Sequence, residues 1–138
     1  MSYPYPLVVF DLDGTLVDSA ADIAEALNRT LEQIGVARVP ESTVLGWIGD
    51  GVGRLVEQAM QAAGRKVDLA AVMPVFMVQY RDCLLRSPQL FEGVAGALAQ
   101  LRARDVPLAI CTNKPEALVP PLLQHLGIAD AFALVLGG

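Results

Sequence analysis

Two aspartates stand one residue apart directly after a short apolar run near the start of the chain. Residues 7–10 are apolar without alternation, and Asp11 and Asp13 follow them at once. Such a run predicts a strand that is buried on both faces of a parallel sheet. Because chemistry in open α/β sheets gathers beyond the carboxyl ends of the strands, we expect both carboxylates to lie at the mouth of a site.

The residue types in this stretch suggest what that chemistry is. Two ionised carboxylates in a partly dry site repel each other, so a cation or a retained proton is expected. Mg²⁺ suits the pair, since it takes oxygen ligands and keeps several waters. A carboxylate can also act as a nucleophile that forms an acyl phosphate, and a protonated one can act as a general acid. Gly14 then allows a tight turn, and Thr15 supplies a hydroxyl group.

The letters D-L-D-G-T-L-V-D at residues 11–18 resemble the first motif, D-x-D-G-T-L-x-D, of the haloacid dehalogenase-like superfamily. The resemblance implies that Asp11 is the nucleophile and that Asp13 is the general acid and base. It also implies that Mg²⁺ is held by the Asp11 carboxylate and the Asp13 backbone carbonyl, and we expect Gly14 and Thr15 to contact the substrate. A calcium-binding EF-hand loop is disfavoured, because that loop follows a helix and has its glycine at the sixth position.

A second apolar run, Leu108–Cys111, predicts another buried strand, with Thr112, Asn113 and Lys114 at its carboxyl end. This pattern resembles the second motif of the superfamily, a buried strand that ends in serine or threonine. The Thr112 hydroxyl and the Asn113 backbone N–H could donate hydrogen bonds to a transferring phosphoryl group. Lys114 is a candidate phosphate ligand, and a solvated lysine near the start of a helix is an equally good interpretation.

The distance between the two strands predicts an inserted domain. A parallel pair needs a crossover of about a dozen residues, whereas nearly all of residues 14–107 intervene. Only the last helix predicted there, at residues 92–104, is needed as the crossover. The resemblance implies an α/β fold with a doubly wound parallel core at residues 1–17 and 88–138, of which only the first three strands are present. It implies an all-helical cap at residues 18–87 that excludes water and selects the substrate.

Local signals indicate where single elements begin and end. Ser19 and Asp22 form the pattern of a capping box and predict the start of the first helix. Pro74 lies inside the fourth predicted helix, so a kink or a break is expected there. The glycine-rich residues 49–53 are either a plain turn before a helix or a loop that directs backbone amides at the substrate. Residues 133–136 predict a third short strand.

Composition narrows the class of protein and its partners. The chain is 54% hydrophobic with a net charge of -5 and no basic block, which excludes disorder and disfavours nucleic acid and anionic membranes as partners. No stretch reaches transmembrane length, and the start does not resemble a secretory signal. His125 is the only histidine, which excludes a histidine pair or a zinc cluster of His and Cys. Cys83 and Cys111 predict two reduced, packed thiols in a cytoplasmic protein.

These observations predict a Mg²⁺-dependent phosphomonoester hydrolase that forms an aspartyl phosphate and acts on a small phosphorylated metabolite. The letters D-L-D-G-T-L-V-D-S-A-A-D-I at residues 11–23, with T-N-K-P at residues 112–115, look most like the bacterial phosphoglycolate phosphatases. A sugar-phosphate phosphatase or mutase of the same superfamily stays open as an alternative, and so does an inactive fragment or interaction module. Dehalogenation is disfavoured, because dehalogenases of the superfamily lack the second acid.

Two further motifs of the superfamily, a lysine that neutralises the phosphate and an acidic pair that completes the Mg²⁺ site, follow its third strand. The chain reaches Gly138 before either motif. We therefore expect no phosphatase activity from these residues alone. We also expect the strand at residues 7–10 to have one free edge, which could support self-association.

Overall fold

The computed structural model describes residues 3–66 and 68–138. Met1, Ser2 and Val67 lie outside the described residues. The prediction that the start of the chain is not a secretory signal falls partly on Met1 and Ser2. Among the described residues the chain divides into two compact units. One unit consists of the residues up to Asp18 together with Gln89–Gly138, and the other is Ser19–Pro88.

The elements include the three predicted strands and the predicted helices, together with two short strands that were not predicted. In chain order they are β1 (Val8–Phe10), β2 (Val17–Asp18), α1 (Ala20–Gln33), α2 (Glu41–Leu45), α3 (Val52–Ala62), α4 (Leu69–Cys83), β3 (Gln89–Leu90), α5 (Val94–Ala103), β4 (Leu108–Cys111), a 3-10 turn (Glu116–Leu118), α6 (Val119–His125), a second 3-10 turn (Ala129–Ala131) and β5 (Leu134–Leu136).

The first unit is built on a parallel sheet with the strand order β1-β4-β5. The helix α5 leads into β4, and a 3-10 turn followed by α6 joins β4 to β5. A short antiparallel ribbon, in which β2 pairs with β3, lies where the chain leaves this unit and returns to it. The predicted α/β fold with a parallel sheet is confirmed, and the carboxyl ends of its three strands lie at the same edge.

One face of this sheet is apolar and exposed. The register pairs Val9 with Ala109 and Ala109 with Leu134, while Cys111 pairs with Leu136. These residues share a face because side chains alternate along a strand. The exposed fraction is 56% at Val9, 52% at Leu134 and 51% at Leu136. The prediction of a first strand buried on both faces is therefore wrong, because the described part of the chain leaves this face open.

We expect the 138-residue chain to self-associate in solution through this face and through the edge of β1. An edge strand presents backbone groups that can pair with another chain, and an apolar patch of this kind marks an interaction site. When the chain is the only protein present, a second copy is the available partner. Gel filtration with light scattering should therefore report a dimer or a larger species.

A charge placed on the exposed face should weaken this association. Val9→Lys should move the chain toward a monomer, because lysine on an edge strand opposes pairing. Val78→Lys is the matched control, since Val78 is 52% exposed but lies on α4 in the other unit. A monomer at high concentration for the unmodified chain would contradict the expectation, and so would an equal response to both variants.

The second unit contains four helices within residues 19–66 and 68–88. The main packing is between α1 and α4, and α2 packs on α1 while α3 packs on α4. Its largest fully buried side chains are Phe76, Leu27, Leu31, Val44 and Val56. The insertion after the first motif therefore buries its own apolar stripes.

Two local predictions in this unit are corrected in part. The predicted start of α1 with Ser19 at its N-cap is confirmed, but the Ser19 side chain makes no capping hydrogen bond to that helix. The buried Asp22 carboxylate accepts hydrogen bonds from the Ser87 N–H (3.1 Å) and hydroxyl (2.9 Å), so it is engaged away from the helix start. Of the kink or break predicted at Pro74, the break does not occur, since α4 continues from Leu69 to Cys83 through that residue.

The two cysteines lie in different surroundings. Cys83 is buried, and this burial raises the pKa of its thiol. Cys111 is exposed, because it lies on the open face of the sheet. The prediction of a packed thiol is confirmed for Cys83 and wrong for Cys111. Over residues 3–66 and 68–138, no helix is both long and apolar enough to cross a membrane.

Candidate active site

The loop after β1 is a tight turn that its own backbone holds in place. The N–H groups of Thr15, Leu16 and Val17 all donate to the Leu12 carbonyl, at 3.1, 2.9 and 3.1 Å, and the Gly14 N–H donates to the Val17 carbonyl at 2.9 Å. Gly14 has φ 81°, which a residue with a Cβ rarely adopts. The turn therefore holds both predicted carboxylates on a fixed loop at the carboxyl end of β1.

The two carboxylates of this turn have different environments. Asp11 is exposed, and its Oδ1 accepts a hydrogen bond from the Leu12 N–H at 2.8 Å. Asp13 is half-buried, and both of its carboxylate oxygens lie 3.2 Å from the Nζ atom of Lys114. One carboxylate is thus open to an incoming group, and the other is held by a cation.

Lys114 is buried at the carboxyl end of β4. The exposed fraction of its side chain is 1%, against 12% for that of Asp13. Its backbone N–H donates to the Thr112 hydroxyl oxygen at 3.1 Å. The interpretation of Lys114 as a solvated lysine is therefore wrong, and its predicted role as a phosphate ligand stays a prediction.

Two glycines at the end of β5 lie directly against the loop that carries Lys114. The Gly138 N–H donates to the Lys114 carbonyl at 2.7 Å, and the Glu116 N–H donates to the Gly138 carbonyl at 3.1 Å. A Cβ on Gly137 would lie 2.5 Å from the Glu116 Cα, and one on Gly138 would lie 2.5 Å from the Asn113 carbonyl oxygen. Sequence reasoning missed this contact, which two consecutive glycines directly after a predicted strand could have indicated.

Gly137→Ala should lower the free energy of unfolding by about 1–3 kcal/mol, because the new Cβ forces backbone away from backbone. Gly96→Ala is the matched control, since a Cβ there would meet nothing within 4 Å on helix α5. That variant should be neutral or stabilising by up to about 1 kcal/mol. Urea unfolding of both variants measures the difference, and equal stability would show that the two loops do not need close contact.

The structure places the predicted residues of both motifs on loops at the same edge of the sheet. These residues are Asp11, Asp13, Gly14, Thr15, Thr112, Asn113 and Lys114. Asn113 and Thr15 are exposed there, whereas Thr112 is buried. The glycine-rich residues 49–53 belong to the helical unit, and their predicted role at the substrate stays a prediction.

The donor set of this edge suits a magnesium ion. The exposed Asp11 carboxylate is a hard oxygen donor, and the Asp13 side chain is engaged by Lys114, which leaves the Asp13 backbone carbonyl as the implied second ligand. Among residues 3–66 and 68–138, no three His, Cys, Asp or Glu residues cluster as a metal site. Mg²⁺ is commonly bound by only one or two carboxylates together with waters and phosphate oxygens, so the residues present fit such an ion.

Comparison with known proteins decides the family. Residues 8–138 match the family described as haloacid dehalogenase-like hydrolase. The chain belongs to this family. The haloacid dehalogenase-like resemblance of the two motifs is therefore confirmed over almost the whole chain, and so is the fold that it implied.

The haloacid dehalogenase-like relatives include named phosphatases. The phosphoglycolate phosphatase of Yersinia pseudotuberculosis is 43% identical over 134 residues, which cover 95% of this chain and 58% of the relative. In Cupriavidus necator, the relative named phosphoglycolate phosphatase, plasmid, is 41% identical over 140 residues, covering 100% of this chain and 61% of the relative.

A solved structure of the same family has nearly the same fold. The crystal structure of a predicted phosphoglycolate phosphatase from Haemophilus somnus 129pt gives a TM-score of 0.91 at 33% identity. The match covers 97% of this chain and 63% of that one. This chain therefore spans about three fifths of the length of the relatives that it matches.

Proposed function

We propose that the natural protein that carries this chain is a phosphomonoester hydrolase that forms an aspartyl phosphate on Asp11. The observation that carries the proposal is the contrast between the two carboxylates of one turn. Asp11 is exposed at the carboxyl end of β1, whereas Asp13 is held by the ammonium group of Lys114. An exposed carboxylate suits a nucleophile, and a carboxyl group held in a fixed position beside it suits a separate acid and base.

The first half of the reaction transfers the phosphoryl group to the protein. An oxygen of the Asp11 carboxylate attacks phosphorus, the bond from phosphorus to the ester oxygen breaks, and the Asp13 carboxyl group gives its proton to the leaving alkoxide. The Thr112 hydroxyl, whose oxygen accepts the Lys114 N–H, and the Asn113 backbone N–H would donate to the phosphoryl oxygens. When bound at the Asp11 carboxylate and the Asp13 carbonyl, Mg²⁺ would offset the repulsion between that carboxylate and the phosphate.

The second half regenerates the free carboxylate. The Asp13 carboxylate accepts a proton from a water molecule, and the hydroxide oxygen attacks phosphorus of the acyl phosphate. The bond between phosphorus and the Asp11 oxygen breaks, which releases inorganic phosphate. Thus Asp13 alternates between acid and base, and it needs a fixed position for both steps.

We propose phosphoglycolate, or a metabolite of similar size and charge, as the substrate, and the cytoplasm as the compartment. The support for the substrate is the similarity to relatives named phosphoglycolate phosphatase, at 43% and 41% identity. The support for the compartment is that Cys83 and Cys111 do not form a disulfide with each other.

Comparing kcat/KM for phosphoglycolate, a hexose phosphate and AMP in the natural protein tests the substrate class. We expect phosphoglycolate to give the highest value, since relatives named phosphoglycolate phosphatase are 43% and 41% identical to this chain. A clear preference for the hexose phosphate would instead support a sugar-phosphate phosphatase or mutase. Absence of phosphate release from every substrate would contradict the proposed hydrolase.

A further inference from the structure

The contacts of Lys114 connect the carboxyl ends of all three strands of the parallel sheet. Its backbone N–H donates to Thr112, the residue that follows β4, at 3.1 Å. Its carbonyl accepts from the N–H of Gly138, just past β5, at 2.7 Å. Its ammonium group lies 3.2 Å from both carboxylate oxygens of Asp13, on the turn after β1.

This arrangement leaves little freedom to either partner of the ion pair. The Lys114 backbone is tied at its N–H and at its carbonyl, and its side chain is 1% exposed. The two equal distances to the Asp13 oxygens mean that the ammonium group faces the carboxylate symmetrically and opposes its rotation. Asp11 has no such restraint, since its described side-chain contact is the hydrogen bond from the Leu12 N–H.

The burial of the ammonium group argues against direct recognition of a phosphate. A ligand that enters from solvent would need access to the Nζ atom, and only 1% of the Lys114 side chain is exposed. Asn113 and Thr15, by contrast, are exposed beside it. The charge of Lys114 is directed at Asp13 and not at open space.

We propose that Lys114 is a positioning residue for Asp13, which fixes that carboxyl group where the ester oxygen of the substrate leaves. The inference rests on the proposed function, because it assigns Lys114 a part in the same hydrolysis. A general acid must lie within hydrogen-bond reach of the atom that it protonates, and a misplacement of about 1 Å can cost about 10²-fold in rate. Removal of the Lys114 side chain should therefore slow the reaction in the same way as removal of the Asp13 carboxyl group.

The test is the dependence of the rate on the leaving group, in the natural protein. Lys114→Met should slow single-turnover phosphorylation about 10²-fold for an alkyl phosphate, whose leaving group needs a proton. The loss for p-nitrophenyl phosphate should be at least about ten times smaller, because p-nitrophenolate leaves without general acid help. The KM should stay within about threefold, and Lys114→Arg should recover part of the alkyl phosphate rate by restoring the charge.

A double variant shows whether Lys114 acts through Asp13. Asp13→Asn with Lys114→Met should be no slower on the alkyl phosphate than Asp13→Asn alone, since residues that act as a unit are not additive. Multiplied losses in the double variant would overturn the inference. If Lys114→Met does not fold, the leaving-group dependence of Lys114→Arg decides, and equal losses on both substrates would again overturn it.

The remaining outcomes separate this inference from the proposed function. Equal losses on both substrates with a raised KM, in an active protein, would make Lys114 a phosphate ligand and overturn the positioning role alone. An unchanged rate in Lys114→Met would also overturn it alone. An unmodified natural protein without phosphatase activity on any of the substrates would overturn the proposed function and this inference together.

Discussion

Asp11→Asn in the natural protein should abolish phosphatase turnover while the protein stays folded. An asparagine amide cannot attack phosphorus, and removal of an enzyme nucleophile can cost about 10⁶-fold in kcat. The fold should be unaffected, because Asp11 is exposed and its described side-chain contact is one hydrogen bond from the Leu12 N–H, which an amide oxygen can also accept. The rate of phosphate release measures turnover, and far-UV circular dichroism shows whether the protein stays folded.

A matched variant makes this result specific. Asp18 is an exposed carboxylate on β2, outside the turn that carries the site, so Asp18→Asn should retain most of the activity. Substantial turnover in Asp11→Asn would contradict the assignment of Asp11 as the nucleophile. Comparable losses in both variants would show that the assay responds to charge in general and not to the attacking carboxylate.

The second large effect concerns stability. Asp13→Asn should lower the free energy of unfolding by about 3 kcal/mol, the lower end of the range for breaking a buried ion pair. The reason is the Lys114 ammonium group, which would stay buried after its described carboxylate partner is neutralised. We take the lower end because the Asp13 side chain is itself 12% exposed and the amide can still accept a hydrogen bond.

The same measurement on Asp11→Asn provides the control. That variant removes a neighbouring negative charge that is exposed, so the change should stay within about 0.5 kcal/mol, as for most surface substitutions. Urea unfolding of the 138-residue chain gives both values. If Asp13→Asn costs no more than Asp11→Asn, the ion pair with Lys114 contributes nothing to stability.

The positions of the Asp11 and Asp13 carboxylates could be predicted from the sequence, and the reason is local. An apolar run ends abruptly at Asp11, and Gly14 supplies the positive φ that the following turn needs. The loop after β4 follows the same rule, with Thr112 directly beyond its last residue. Since parallel strands bring their carboxyl ends to one edge of a sheet, residues distant in sequence are predicted to meet.

The partner of Asp13 could not be predicted, because it depends on packing between distant segments. Lys114 is 101 residues further along the chain, and its burial is a property of the loops around it. A lysine after a strand has the same local pattern whether its ammonium group is solvated or buried. The close approach of Gly137 and Gly138 to that loop, which a Cβ would block, is one of the contacts that set its position.

The sequence pattern also could not predict what covers each face of the sheet. The apolar run in β1 indicates a strand suited to burial on both faces, but it does not indicate what covers each face. In the described chain Val9 and Leu134 are exposed on the same side, although both are as apolar as their buried neighbours. The apolar pattern of a strand indicates which side chains favour burial. Whether they are buried depends on the elements that pack against them.

The most direct test of the proposed reaction is to trap the phosphoryl group on Asp11. The natural protein is mixed with its phosphoester and quenched in acid within a single turnover, and the peptide that contains Asp11 and Asp13 is analysed by mass spectrometry. We expect one added phosphoryl group, located on Asp11, that forms also in Asp13→Asn and is absent from Asp11→Asn. A phosphoryl group on any other residue, or phosphate release with no protein-bound phosphoryl group at any time point, would contradict the assignment of Asp11 as the nucleophile.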